Sequence, residues 1–144
     1  MTAQFFLDTN IVAYAASSRN EDGAKTAISR QLLGADSVAV SAQVLQEFFV
    51  VVTRKFKPPL SVADAEVYLD ALERMPIASL TPELIRRAIR LQERHQISYW
   101  DAAILSAAKE LAATTVFSED LNNGQTYDGV TVINPFLPNV TLPT

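Results

Sequence analysis

Apolar and polar positions alternate along this chain in blocks that change period, and the changes mark the elements. Phe5 to Leu7 is an apolar run of strand length that ends abruptly at Asp8. Thr9 and Asn10, both good helix caps, follow it, and then the helix-compatible Ile-Val-Ala-Tyr-Ala-Ala. The pattern predicts a buried strand feeding a helix, with a carboxylate at the strand's carboxyl end. From Glu21 to Leu33, Ala24, Ala27, Ile28 and Leu32 share a helical face, and Gly34 is placed to cap it. Ser37 to Val40 predicts a short strand. Ser41 caps a helix from Ala42 to Phe56 that Pro58-Pro59 must end, and Ser61 opens another, with Asp64 at capping-box spacing.

Farther on, Ile77 to Leu80 reads as a short strand or a connector. Thr81-Pro82-Glu83 places a cap, a proline at the first position and an acid in the first turn, predicting a helix that ends near His95. Ser98 caps a helix from Tyr99 to Ala112. Thr114 to Phe117 is a β-branched and aromatic strand, Ser118 to Gly129 a polar loop, Val130 to Ile133 a last strand, and Pro135 to Thr144 a proline-punctuated tail. Strands alternating with helices predict an α/β fold, a central parallel sheet flanked by helices in three layers. The middle of the chain is too helical for strict alternation, so a helical clamp or subdomain is expected there. Residues 1–144 are expected to form one domain, with no repeat or linker.

Composition narrows the class. The chain lacks cysteine, which removes disulfides, thiolate zinc sites and cysteine nucleophiles, and has a single histidine. No apolar run approaches a membrane span, and no basic segment precedes the first apolar stretch, so a cytoplasmic protein without membrane association is expected. The net charge of −4 argues against tight, sequence-independent duplex binding. Seven of the twelve basic residues nonetheless fall in two clusters, Arg54, Lys55, Lys57 and Arg86, Arg87, Arg90, Arg94. The second lines a helix face, either as a solvated surface with Glu83 and Glu93 as partners or as a contact for an anionic polymer.

Four acids carry the candidate chemistry. Asp8 and Asp120 both follow apolar strands, where open parallel sheets bind ligands. Each is also a common turn residue. Glu47 shares a helical face with Val44, Phe48 and Val51, and an ionised carboxylate buried there needs a compensating partner. Asp101 shares a face with Ile104, Leu105 and Ala108, yet its spacing from Ser98 also suits a capping box. Acids converging on one sheet edge repel one another and call for cations. An oxygen-only donor set suits Mg2+ or Mn2+, which activate water and neutralise phosphoryl charge. The chain has no P-loop, Gly-x-Gly-x-x-Gly motif or nucleophile elbow, and His95 reads as a satisfied helix-end histidine.

Four pieces in order resemble the PIN-domain nucleases and, among them, the VapC-like toxins of toxin–antitoxin pairs. They are Phe-Leu-Asp-Thr-Asn at the start, Gln46-Glu47-Phe48, Tyr99-Trp100-Asp101-Ala102-Ala103, and Ser118-Glu119-Asp120-Leu121. The resemblance implies an acidic metal site of Asp8, Glu47, Asp101 and Asp120, with Asp8 and Asp101 as the most direct ligands. Thr9, Asn10 and Ser118 match positions that orient the acids or approach the substrate. It further implies a Mg2+- or Mn2+-dependent endoribonuclease, an RNA substrate, a cognate antitoxin and a homodimer. The competing expectation is a non-catalytic RNA- or protein-binding module with an acidic metal pocket. The nearly all-round apolar helix Val44 to Val52 is compatible with burial by another chain.

Overall fold

The computed structural model describes all 144 residues. Its elements are β1 (Phe5–Leu7), α1 (Thr9–Ala15), α2 (Gly23–Leu33), β2 (Val38–Ser41), α3 (Ala42–Val50), α4 (Val62–Leu72) and β3 (Ile77–Ala78). They continue with α5 (Pro82–His95), α6 (Tyr99–Glu110), β4 (Thr115–Phe117), β5 (Thr126–Tyr127) and β6 (Val130–Ile133). One sheet runs in the order β3-β2-β1-β4-β6-β5, parallel throughout except where β5 returns antiparallel to β6. All four residues of β2 are buried, as a strand covered by helices on both faces requires. The α/β architecture with a helix-flanked parallel sheet is the one the sequence predicts.

The order of the strands decides where a site can form. From β1 the chain crosses to β2 and β3 on one side, then returns to place β4 and β6 on the other. Phe5, Phe6 and Leu7 pair with Thr115, Val116 and Phe117 across the reversal. A crevice therefore opens beyond the carboxyl ends of β1 and β4, between connections that leave in opposite directions. A single cluster of 33 buried apolar residues backs it, including Phe6, Phe48 and Phe117.

The helical excess in the middle of the chain is the crossover from β2 to β3. Its two helices meet edge to face through Phe48 and Tyr68, 6.1 Å between centroids. Ala65 and Leu72 of α4 belong to the same core as the sheet.

Two elements differ from the sequence prediction. The helix expected from Ala42 to Phe56 is α-helical only to Val50, and Val51–Lys55 form a π turn closed by the Phe56 N–H on the Val51 carbonyl, 3.1 Å. Thr53 Oγ1 donates to the Phe49 carbonyl at 2.6 Å. A threonine bonding back four residues bends a helix, and three consecutive valines precede it. The loop from Ser118 to Gly129 contains β5. Asp128 and Gly129, both at positive φ (48° and 88°), form the two-residue turn from β5 to β6.

Candidate active site

Asp8 sits where β1 gives way to α1. Its backbone is extended, and Oδ1 accepts the Thr9 N–H at 2.7 Å, so it is the helix's own N-cap. Its N–H donates to the Phe117 carbonyl at 3.0 Å, tying it to the end of β4. Oδ2 accepts from Ser118 Oγ at 2.7 Å and from Asn10 Nδ2 at 3.3 Å. The residue is 8% exposed.

Ser118, fully buried at the start of the β4 loop, is the hub. While it donates to Asp8, its Oγ accepts the Asp120 and Leu121 N–H groups at 3.1 and 3.3 Å and Asn10 Nδ2 at 3.3 Å. Asn10 clasps the same loop from α1. Its Nδ2 reaches Asp120 Oδ2 at 3.1 Å, and its Oδ1 accepts the Glu119 N–H at 3.1 Å. Two strand ends and one helix start thus hold Asp8 and Asp120 together through neutral polar side chains.

The electrostatics follow. The Asp8 carboxyl is pushed up from an ordinary 3.8 to about 6. Burial is the main cause, and the negative charges of Glu47 and Asp120 add to it, against the hydrogen bonds from Ser118 and Thr9 that favour ionisation. Thr9 is also buried, and its Oγ1 has no hydrogen-bond partner.

Glu47 lies across the groove, but not as its helical pattern predicts. It is exposed, with Oε1 accepting from Gln43 Nε2 at 2.8 Å. The buried row of α3 and its π turn is Val44, Phe48 and Val52, at steps of four. Glu47 belongs to the adjacent row with Gln43 and Val51. The cost of burying it therefore does not arise, and its place on the groove wall is what connects it to Asp8.

Asp101 neither lines the groove nor is among the groups that act on the Asp8 carboxyl. Its N–H is capped by Ser98 Oγ at 3.1 Å, while its half-buried carboxylate accepts no hydrogen bond from the chain. The face argument does not discriminate here, because α6 is buried all round from Ala102 to Ala108. Topology still sets Asp101 at the site's edge of the sheet. The Leu111 carbonyl beyond the end of α6 accepts the Ala3 N–H, before β1, at 3.0 Å, which fixes that end at the amino edge. Asp101, ten residues back, is about 15 Å along the helix toward the carboxyl edge. No three acidic or histidine side chains are grouped closely enough to hold a metal ion by themselves.

A groove of about 340 Å3 opens over these residues. Asn10, Ala13, Tyr14 and Ser17 form one wall at helical spacing, and Glu47, Val51, Lys55 and Phe56 form the opposite one. Thr9 and Asp120 line it as well. Sequence reasoning missed a further group beside it. Tyr14 Oη donates to Glu119 Oε1 at 2.7 Å, Lys25 pairs with Glu119, and the Lys25 ammonium lies 4.9 Å from the Tyr14 ring centre. Only the i,i+4 step from Asn10 to Tyr14 signals it in the sequence. His95 is satisfied, as expected, by Asp128 at 3.1 Å. Of the arginines on α5, Arg87 pairs with Glu110 and Arg94 with Asp128, so neither uses Glu83 or Glu93.

The fold has solved counterparts. The chain is similar to VapC20 of Mycobacterium tuberculosis, a sarcin–ricin loop cleaving toxin, with a TM-score of 0.64 and 20% identity over 81% of this chain and 91% of that one. It is similar to a toxin–antitoxin complex from Klebsiella pneumoniae, with a TM-score of 0.63 and 20% identity over 90% and 96%. VapBC2 from Rickettsia felis, bound to a DNA fragment from its promoter, matches with a TM-score of 0.57 and 19% identity over 89% and 96%. At these identities the likeness is one of fold. No curated protein matches the chain. The model of the PIN domain family matches residues 5–127, which take in β1 through β5 and the whole groove. The chain belongs to the PIN domain family.

Proposed function

We propose that the protein is a metal-dependent endoribonuclease that hydrolyses RNA phosphodiester bonds, the toxin of a toxin–antitoxin pair. The observation that carries the proposal is Asp8, a buried carboxyl at the sheet's switch point that is raised by its own burial and by two further acids. Such a group is relieved by a cation, and the atoms its neighbours could offer a metal are oxygens of carboxylates, hydroxyls and an amide. The chemistry of the donor set therefore fits Mg2+ or Mn2+, and Asp8, with Glu47, Asp120 and Asp101, would have to close on the ion to hold it. A divalent ion there supplies a water of lowered pKa and positive charge against the phosphoryl oxygens.

The chain's own residues do the rest. Ser118 and the Thr9 N–H fix both oxygens of Asp8, so the carboxylate is oriented before any ligand arrives. Asn10 holds the β4 loop and with it Asp120. The groove between α1 and the π turn gives the RNA strand a path over the acids.

A second reading is favoured by one observation: the four acids do not form a closed ligand set. The alternative is a non-catalytic RNA- or protein-binding module. Purified protein and its Asp8→Asn variant, offered structured and unstructured RNA with Mg2+, Mn2+ or EDTA, separate the two. The nuclease predicts metal-dependent cleavage that the substitution abolishes. Cleavage surviving the substitution at wild-type rate refutes the assignment, and metal binding without turnover supports the module.

The proposal includes a cytoplasmic location, a cognate antitoxin and a homodimer. No helix is long and apolar enough to cross a membrane. An apolar depression between α3 and α4, with Leu45, Phe49, Val50 and Leu69 in its walls, supports burial by another chain. A strictly monomeric protein in light scattering at micromolar concentration removes the homodimer.

A further inference from the structure

Lys55 stands on the groove wall opposite the α1 face, on the same row as Glu47 and Val51. In a regular α-helix that row would not hold. Each step of four residues drifts by about 40° around the axis, so Lys55 would lie about 80° from Glu47. The wider π turn advances each residue by less than the α-helical step and undoes part of the drift. Glu47, Val51 and Lys55 consequently line one groove. The turn costs regular helical hydrogen bonding, and single π turns recur at functional sites.

The charge is also free. Of the two basic residues that line the groove, Arg19 is engaged by Glu21 and Asp22, whereas Lys55 is exposed and has no carboxylate within 4.0 Å. In a protein of net charge −4, an uncompensated ammonium in an acid-lined groove fits a ligand that brings negative charge beyond what the acids repel.

We propose that Lys55 is a positioning residue that binds a backbone phosphate flanking the bond to be cut, and so sets where the RNA strand lies over the acids. The π turn is the device that puts it there. This inference rests on the ribonuclease reading for its strand, but its test does not depend on cleavage.

The probe is a short labelled single-stranded RNA, titrated by anisotropy in EDTA across a range of KCl concentrations. One phosphate contact on a single strand contributes about 0.7 to the slope of log K against log salt. Lys55→Gln should lower the slope by that amount, and Lys55→Arg should restore it. Arg74→Gln removes the same charge from an exposed residue outside the groove and should leave the slope unchanged. In cleavage assays with Mg2+, Lys55→Gln should raise KM severalfold and leave kcat within about twofold, as lost uniform binding does. Equal slopes for wild type and Lys55→Gln overturn the proposal, as does an equal loss from Arg74→Gln. A lysine reserved for an acidic segment of a protein partner would give the first of these results. If no RNA is cut but the slope falls as stated, the lysine's contact with a backbone phosphate stands and the nuclease reading alone fails.

Discussion

Replacing Asp8 by asparagine should stabilise the metal-free protein in alkaline buffer and destabilise it in acid. The carboxyl's pKa is about 6 in the fold against an ordinary 3.8. A raised acid opposes folding once it ionises. The cost is absent below the unfolded value and complete above the folded one. For this shift it amounts to about 3 kcal/mol at pH 8, about 1.5 at pH 5 and about 0.5 at pH 4. Asparagine removes that cost and introduces another that does not vary with pH. Its carbonyl can still accept the Thr9 N–H, but its NH2 replaces the oxygen that accepts from Ser118 and Asn10. Asn10 cannot turn to accommodate it, because its own carbonyl holds the Glu119 N–H. This mismatch costs about 1–2 kcal/mol. The two stability curves should therefore cross at about pH 5, with the variant ahead at pH 8 by about 1–2 kcal/mol. Thermal melts in EDTA from pH 4 to 8 measure it. The difference in Tm should change by about 8 °C across that range, at about 3–4 °C per kcal/mol. A difference that stays flat with pH would show that Asp8 carries no buried charge and that the electrostatic case for a cation is wrong. Mg2+ added at pH 8 should raise the Tm of the wild type and leave the variant unmoved.

Other perturbations separate the site's parts. Ser118→Ala leaves the Asp120 and Leu121 N–H groups and the Asp8 carboxylate short of a partner, and should cost about 2–3 kcal/mol in chemical denaturation. Glu47→Gln, on an exposed wall, should change stability by less than about 0.5 kcal/mol while lowering RNA cleavage at least about tenfold; a stability loss above about 2 kcal/mol would return Glu47 to a structural role. Gly129→Ala, at φ 88° with open space around it, should cost about 1–2 kcal/mol from backbone strain alone and leave metal binding intact by calorimetry.

The sequence made the strand-end acids legible because the apolar run and the polar break are both local. Asp8 after Phe5 to Leu7 and Asp120 after Thr115 to Phe117 needed only strand length and direction. Glu47 was singled out for a reason the structure overturns. Periodicity placed it on the apolar stripe, since Val51 counted as core, whereas the buried row is Val44, Phe48 and Val52. A one-row error of about 100° is beyond what hydropathy resolves on a helix that is apolar nearly all round. The π turn was unreadable for a related reason, since nothing in Val-Val-Val-Thr distinguishes an extra residue per turn from a frayed end. The β5–β6 hairpin could have been found, because Asp128-Gly129 between Thr-Tyr and Val-Thr-Val-Ile is a direct signal for a two-residue turn. The Tyr14, Lys25 and Glu119 cluster joins residues up to 105 positions apart, and no local pattern announces it.

The hydrogen bond from Ser118 to Asp8 spans 110 positions of the chain. It has a consequence for how the protein is made. A ribosome adds about 5–20 residues per second, so Asp8 waits for several seconds at least, and at the slower rate roughly twenty, before Ser118 exists. Through that interval β1 lacks its neighbour β4, and Asp8 lacks its buried serine, its second acid and its loop. A nascent chain is thus without the assembled groove until Ser118 and Asp120 have emerged. Pairing that distant in sequence is also slow to close. Whatever the finished protein does at this groove, the topology delays it until synthesis has passed Ser118.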